Sequence, residues 1–296
     1  MILRNKKKEI MSILICIVVT IATFISIISQ NNIMAESSGR TYVKYIYATQ
    51  TFTEYELPAI PIARNDGLQT RAALLPDERK NSPLEQTLVQ IGAGTGFIIG
   101  EHEILTAAHV LTYLSTKEIN VPTVKIPKSN PLENTAINLT PVAATFPKAA
   151  YNELVGDDYA ILTVAEDLSK YGSVFLGLGV NDAYLVQNNI YALGYKGNYQ
   201  KISSGKVEDI HEDYYKTSAH VYPGTSGGPV YCQYRFGVLG STDPEEKVQI
   251  YKTVIGIATR TDYYIDPETQ IFYSGSSHVT RITPEVLQFA YSNNNL

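Results

Sequence analysis

From residue 85 onward, short apolar runs alternate with turn residues along the chain. The runs are Leu88–Ile91, Phe97–Ile99, Glu103–Thr106, Val124–Ile126, Tyr159–Val164, Ile190–Leu193, Lys206–Ile210, Gly228–Cys232 and Lys252–Ala258. Each has the length of a strand, and Gly, Pro or Asn-Asp falls between them at spacings of about 8–12 residues. This pattern predicts an all-β sandwich or barrel. Apolar residues at helical spacing are confined to the C-terminus. There Thr283 reads as an N-cap and Pro284 as a first-turn proline, while Val286, Phe289 and Ala290 share one face. A terminal helix over about 283–292 is expected.

The first 71 residues break the pattern. Arg4, Lys6, Lys7 and Lys8 precede an apolar run from Ile10 to Ile28, and Met34-Ala35 precedes a polar stretch. That layout predicts a secretory signal peptide over 1–35, cleaved after Ala35. An uncleaved membrane anchor is the alternative, since the run approaches the ~18–20 residues that span a bilayer. Residues 36–71 hold an aromatic-rich stretch from Tyr42 to Tyr55, then Pro58, Pro61 and Asn65-Asp66-Gly67, without the periodicity of a packed domain. They read as a propeptide or linker, with processing after Arg71 and a mature chain of 72–296.

Of the 296 residues 44% are hydrophobic, enough for one sizeable core or two small ones. Net charge is −5, and a nucleic-acid footprint would be basic and clustered, so no nucleic acid is expected. Cys16 lies inside the signal segment and Cys232 is the only other cysteine, so the mature chain forms no internal disulfide. An exported, cysteine-poor chain suggests a Gram-positive-type route. Cys232 follows Val230-Tyr231 in an apolar strand and reads as a buried, inert thiol. There is no His-Glu-x-x-His helix and no paired-cysteine spacing, so neither metal nor cofactor is expected.

Three segments carry candidate chemistry. The first is Pro223-Gly224-Thr225-Ser226-Gly227-Gly228-Pro229. A serine hydroxyl is a weak nucleophile that needs exposure on a tight turn, an adjacent base, and donors for the oxyanion. Glycines around Ser226 permit an unusual backbone, and the N–H groups of Gly224 and Ser226 can point into one hole. The second is Leu105-Thr106-Ala107-Ala108-His109-Val110, where an imidazole base ends an apolar strand after small residues. His102, His211, His220 and His278 lack that context. In the third, Gly156-Asp157-Asp158-Tyr159-Ala160-Ile161-Leu162, a carboxylate opens a buried strand and can orient one imidazole nitrogen. Alone, each has an ordinary reading: a glycine-rich hairpin, a structural histidine, an acidic turn. Together, in the order His, Asp, Ser, they point to nucleophilic catalysis. Gly224 to Gly228 also fits the Gly-x-Ser-x-Gly elbow of α/β-hydrolases, an esterase reading that would enlist Asp262 and His278. The strand after Ser226 and the lack of long helices count against it.

These blocks resemble the three catalytic blocks of chymotrypsin-fold serine proteases. Within that group the chain is similar to the bacterial glutamyl endopeptidase branch, the staphylococcal V8 type. Ala73-Leu74-Leu75-Pro76-Asp77-Glu78-Arg79, Gly94-Thr95-Gly96-Phe97-Ile98, Gly194-Tyr195-Lys196-Gly197 and Val254-Ile255-Gly256-Ile257 extend the resemblance over about 72–292. It implies two antiparallel six-stranded barrels, at about 85–170 and about 175–282, followed by the terminal helix. His109 and Asp158 would come from the first barrel and Ser226 from the second. Asp158 matches rather than Asp157, because Tyr159-Ala160 follows it directly. The resemblance implies a secreted, extracellular monomer made as a zymogen and acting on protein or peptide substrates. Membrane contact would come only through an uncleaved signal segment.

Two positions depart from the family. Thr225 stands where the digestive enzymes carry an aspartate that pairs with the new N-terminus, so activation by that pair is not expected. The branch carries a histidine after Gly-Ile in the strand beyond the serine, and here that residue is Ala258. Preference for acidic residues is therefore left open. His220, Val221, Ala258 and Arg260 are the candidate pocket residues, and either basic one would favour an acid. A catalytically silent, protease-like surface or adhesion protein remains the alternative of a different class.

Overall fold

The computed structural model describes residues 40–57, 84–113, 116–120, 122–152, 154–174, 176, 182–237, 248–265 and 272–293. The signal segment expected over 1–35, the Arg71 processing site and the Ala73–Arg79 match lie outside the described residues.

Strands dominate. The N-terminal half contains β1 (Thr41–Ile46), β2 (Thr51–Glu56), β3 (Leu88–Ile91), β4 (Gly94–Ile98) and β5 (Glu103–Thr106). A single helical turn, α1 (Ala108–Leu111), follows, and then β6 (Thr112–Tyr113), β7 (Glu118–Ile119), β8 (Val124–Ile126), β9 (Ile137–Leu139), β10 (Pro141–Pro147) and β11 (Ala160–Val164). After α2 (Asp182–Gln187) come β12 (Ile190–Lys196), β13 (Tyr199–Gly205), β14 (Val207–Ile210) and β15 (Tyr214–Thr217). The chain then runs through β16 (Pro229–Gly237), β17 (Val248–Ile265), β18 (Phe272–Arg281) and the terminal helix α3 (Pro284–Asn293).

Among the described residues all pairings are antiparallel except one isolated bridge, Leu176 to Val254. The first sheet has the order β2-β1-β10-β11-β5-β4-β3-β8-β9, and the second β13-β12-β16-β17-β18-β15-β14. In the second the two ends of the order are halves of one bent strand, and in the first the same holds for the stretch from β10 to β9. β9 and β10 are separated only by Thr140, and β13 and β14 only by Lys206. Counting each bent pair once, six strands form each barrel, and in the first sheet β1 and β2 extend it from β10 as an appended hairpin. The barrels, their antiparallel pairing and the C-terminal helix match the sequence expectation.

The strands most readable in the sequence are buried on both faces. On β11, Ile161 packs into the core between the barrels and Leu162 into the first barrel. On β5, Leu105 and Ile104 divide in the same way. A period of two combined with two apolar environments gives a continuous apolar run. Leu185, Ile190, Val207, Val230 and Val279 fill the second barrel. Cys232 is fully buried there too, in the setting expected for an inert thiol. The terminal helix closes the inter-barrel core with Val286, Phe289 and Ala290. Its N-cap forms as the sequence suggests, the Val286 N–H donating to Thr283 Oγ1 at 3.3 Å.

Residues 41–56 differ from the expectation that segment 36–71 lacks a packed pattern. They form a hairpin whose β1 strand pairs with β10 along the first barrel. Tyr42 and Val43 are each only 3% exposed. Adjacent residues buried in two different cores leave no simple alternation, which hides the strand from a periodicity search.

Phe289 is fully buried, stacked 4.8 Å from Tyr42 and edge-on to Tyr159 at 5.2 Å. Phe289→Ala should destabilise the fold by about 3–5 kcal/mol, read as a lower denaturant midpoint with an unchanged slope.

Candidate active site

His109 sits in α1, just past the end of β5. The two alanines before it are fully buried. The serine loop comes close to their backbone: a Cβ on Gly227 would lie 3.0 Å from the Ala107 nitrogen. Asp158 follows a 3-10 turn, Val155–Asp157, and precedes β11. Its carboxylate, 4% exposed, accepts two bonds from His109. The backbone N–H donates to Oδ1 at 2.9 Å and the ring Nδ1 to Oδ2 at 2.7 Å. The second bond places the ring proton on Nδ1 and leaves the Nε2 lone pair available as a base. Burial opposes the imidazolium, but the charge and hydrogen bond of Asp158 outweigh it and raise the His109 pKa above its ordinary value. Arg260 acts in the opposite direction, its charge lowering that pKa.

Two threonines of the second barrel support this turn. Thr280 Oγ1 donates to the Val155 carbonyl at 2.5 Å and lies 3.0 Å from Thr259 Oγ1. Both side chains are buried.

The serine loop is held by glycines in the left-handed region. Gly224 has φ +97° and Gly227 φ +85°. A Cβ would stand 2.6 Å from the Tyr195 carbonyl oxygen at the first and 2.1 Å from the Thr95 carbonyl oxygen at the second. No L side chain fits either place. Among the described residues, the N–H groups of Gly224 and Ser226 donate to no protein acceptor. Ser226 Oγ donates to the Thr259 carbonyl at 3.0 Å, and no Ser226–His109 hydrogen bond is formed among the described residues. The bond reaches Thr259 because β17 is strapped to the loop. Gly227 N–H donates to the Ala258 carbonyl at 2.6 Å, and Ala258 N–H to the Gly228 carbonyl at 2.8 Å.

Thr95 joins this loop to the histidine strand. Its N–H donates to the Ser226 carbonyl at 2.8 Å and its hydroxyl to the Gly224 carbonyl at 2.6 Å. Its hydroxyl also accepts from Tyr195 N–H at 2.8 Å, and its carbonyl from Thr106 Oγ1 at 2.6 Å.

The four pocket candidates separate by exposure. Val221 and Ala258 are buried in the second core. The Val221 backbone meets a hydroxyl pair: its N–H donates to Ser277 Oγ at 3.0 Å, and its carbonyl accepts from Thr261 Oγ1 at 2.9 Å. His220 is half-buried, with Nδ1 3.0 Å from Ser274 Oγ and its ring edge-on to Tyr222. Burial and then the charge of Lys196 lower its pKa. Arg260 is exposed. Asp262 and His278, the acid and base of the esterase reading, do meet, Nε2 to Oδ2 at 2.7 Å. His278 Nδ1 is buried without a partner, so the pair serves no serine. Ser226 also precedes a strand, β16, in an all-β fold, which removes the α/β-hydrolase reading. Among the described residues no cluster suits a metal ion, and no helix is long and apolar enough to cross a membrane.

Residues 94–240 match the family profile described as trypsin-like peptidase domain. A solved structure of a Glu endopeptidase in complex with MPD superimposes with a TM-score of 0.53 at 15% identity. The alignment covers 75% of this chain and 95% of that one. The fold is that of a trypsin-like serine peptidase. No curated protein matches the sequence. This trypsin-like fold draws His109 and Asp158 from the first barrel and Ser226 from the second. Thr95, Thr259 and Thr280 escaped sequence reasoning, since threonine is an ordinary strand residue and spacing does not mark it.

Thr95→Val keeps the shape but leaves the Tyr195 N–H and the Gly224 carbonyl unpaired. We expect a loss of about 2–4 kcal/mol in stability, with slower labelling of Ser226 by a fluorophosphonate probe.

Proposed function

We propose that the protein is a serine endopeptidase that hydrolyses peptide bonds through an acyl-enzyme. The observation that carries this reading is the two-bond seat of His109 on Asp158, which presents Nε2 as a base beside a glycine-held serine. Ser226 Oγ turns from the Thr259 carbonyl to His109 Nε2, gives up its proton there, and attacks the substrate carbonyl. The N–H groups of Gly224 and Ser226 stabilise the oxyanion, and His109 then protonates the leaving amine. Water, activated by His109, releases the acyl group by the reverse steps.

Arg260 lies near enough to His109, and Lys196 near enough to His220, for each cation to oppose protonation of its histidine. With the Thr261–Ser277 hydroxyls, these groups favour an acidic side chain next to the scissile bond, without the histidine that Ala258 replaces. Arg260→Ala should lower kcat/KM on an acidic peptide by roughly 10–150-fold while leaving an uncharged analogue little changed, corresponding to the ~1.5–3 kcal/mol of a charged hydrogen bond. A library profile with no acidic preference would remove this part of the proposal. The chain is made as a precursor, exported by its 1–35 segment and processed after Arg71. N-terminal sequencing of protein from the medium tests this, and a fully active chain starting at Glu36 would exclude the second cut.

A silent, protease-like surface protein has one observation on its side, the engagement of Ser226 with Thr259 rather than His109. Fluorophosphonate labelling separates the two readings. Labelling lost in Ser226→Ala supports the enzyme; no labelling of the processed wild type supports the silent protein. The pH profile gives a further check. His109 must be neutral to act, so kcat/KM should fall as pH drops through its raised pKa, above the usual value of about 6.5. Asp158→Asn removes the raising interactions. It should move that limb to lower pH and reduce kcat by roughly 10⁴.

A further inference from the structure

The hairpin β1–β2 lies on the N-terminal side of Arg71, yet β1 is built into the folded body. It pairs with β10 from Tyr42–Pro147 to Ile46–Ala143. Val43 enters the first barrel's core and Tyr42 the core between the barrels. The Tyr42 hydroxyl lies 3.3 Å from that of Tyr159. Arg40, just before β1, pairs with the carboxylate of Asp157. Asp157 is only 6% exposed, and among the described residues Arg40 is its one cationic partner. Asp213 repels it from another side, packed so tightly on Gly156 that a Cβ there would meet Asp213 Oδ2 at 1.9 Å. The hairpin therefore grips residues 157 and 159, on either side of the carboxylate that seats His109.

We infer that residues 40–56 are a permanent part of the mature protein and that Arg40 is a positioning residue for Asp158. A cut after Arg71 then leaves the hairpin in place as a non-covalently bound strand pair instead of releasing it. The positioning role rests on the reading of Asp158 as the partner of a catalytic His109. A buried carboxylate is tolerated when paired. Without Arg40, Asp157 faces Asp213 alone, the turn that ends at Asp158 shifts, and misplacement of a base is felt in turnover.

Two measurements on the full chain test this. After cleavage at Arg71 with trypsin, native gel filtration and mass spectrometry should find the fragment containing 40–56 eluting with the body until denaturant is added. A hairpin fragment eluting apart from a body that still labels at Ser226 would overturn its permanence. In the second, Arg40→Gln should lower kcat by about tenfold or more with KM within about twofold, and Arg40→Lys should recover most of the loss. Adding Asp157→Asn to Arg40→Gln removes the unpaired buried charge and should restore kcat; this double variant also serves if Arg40→Gln alone does not fold. An unchanged kcat in Arg40→Gln, or a double variant that folds and stays slow, defeats the positioning role. Co-elution is read without activity. A wild-type chain that never labels would sink the peptidase reading and the role of Arg40 with it, while the hairpin is decided separately.

Discussion

The site depends on Thr95. One buried residue makes four hydrogen bonds, two to the serine loop, one to Tyr195 on β12, and one to Thr106 at the end of β5, just before His109. The serine loop is glycine-rich and would otherwise sample many conformations, since glycine loses more freedom on folding than any other residue. Thr95 offsets that cost by pinning the carbonyls of Gly224 and Ser226 from the opposite barrel. Such bonds are strong in a dry interior and expensive to leave half-made. The loop therefore takes its shape from the partner barrel as much as from its own sequence.

Charge is arranged locally and against the overall balance. The chain carries −5, yet Arg260 opposes protonation of His109, where Asp158 outweighs it, and Lys196 opposes protonation of His220. Net charge speaks to solubility and association, whereas the field at a cleft is set by a few side chains.

Much of this was legible in the sequence. β3, β5 and β8 begin and end where their apolar runs do, because β3 and β5 bury residues on both faces and β8 buries Val124 and Ile126 around Lys125. The terminal helix was readable from its cap, a local device needing no tertiary partner. β10 was hidden by its alanines and bounding prolines, β13 by its exposed polar residues, and β18 by Ser274, Ser276 and Ser277. The Ser226, His109 and Asp158 segments stood out through their flanking small residues, which close backbone approach requires. The Thr259 carbonyl and Arg40 gave no signal. A backbone acceptor has no sequence signature, and the pairing of Arg40 with Asp157 depends on a strand register set across the whole first barrel.

That register bears on how the molecule assembles. β1 leaves the ribosome early, but its edge partner, β10, begins only at Pro141. Closing so long a loop costs chain entropy before any contact rewards it, and topologies of this kind fold in milliseconds to seconds rather than microseconds. The first barrel also cannot shut until β9 and β10 have both been made. The earliest strand in the described chain is thus among the last to be seated. Until then Tyr42, Val43 and Tyr45 remain an exposed apolar edge, and the chain is most open to misassociation in that interval.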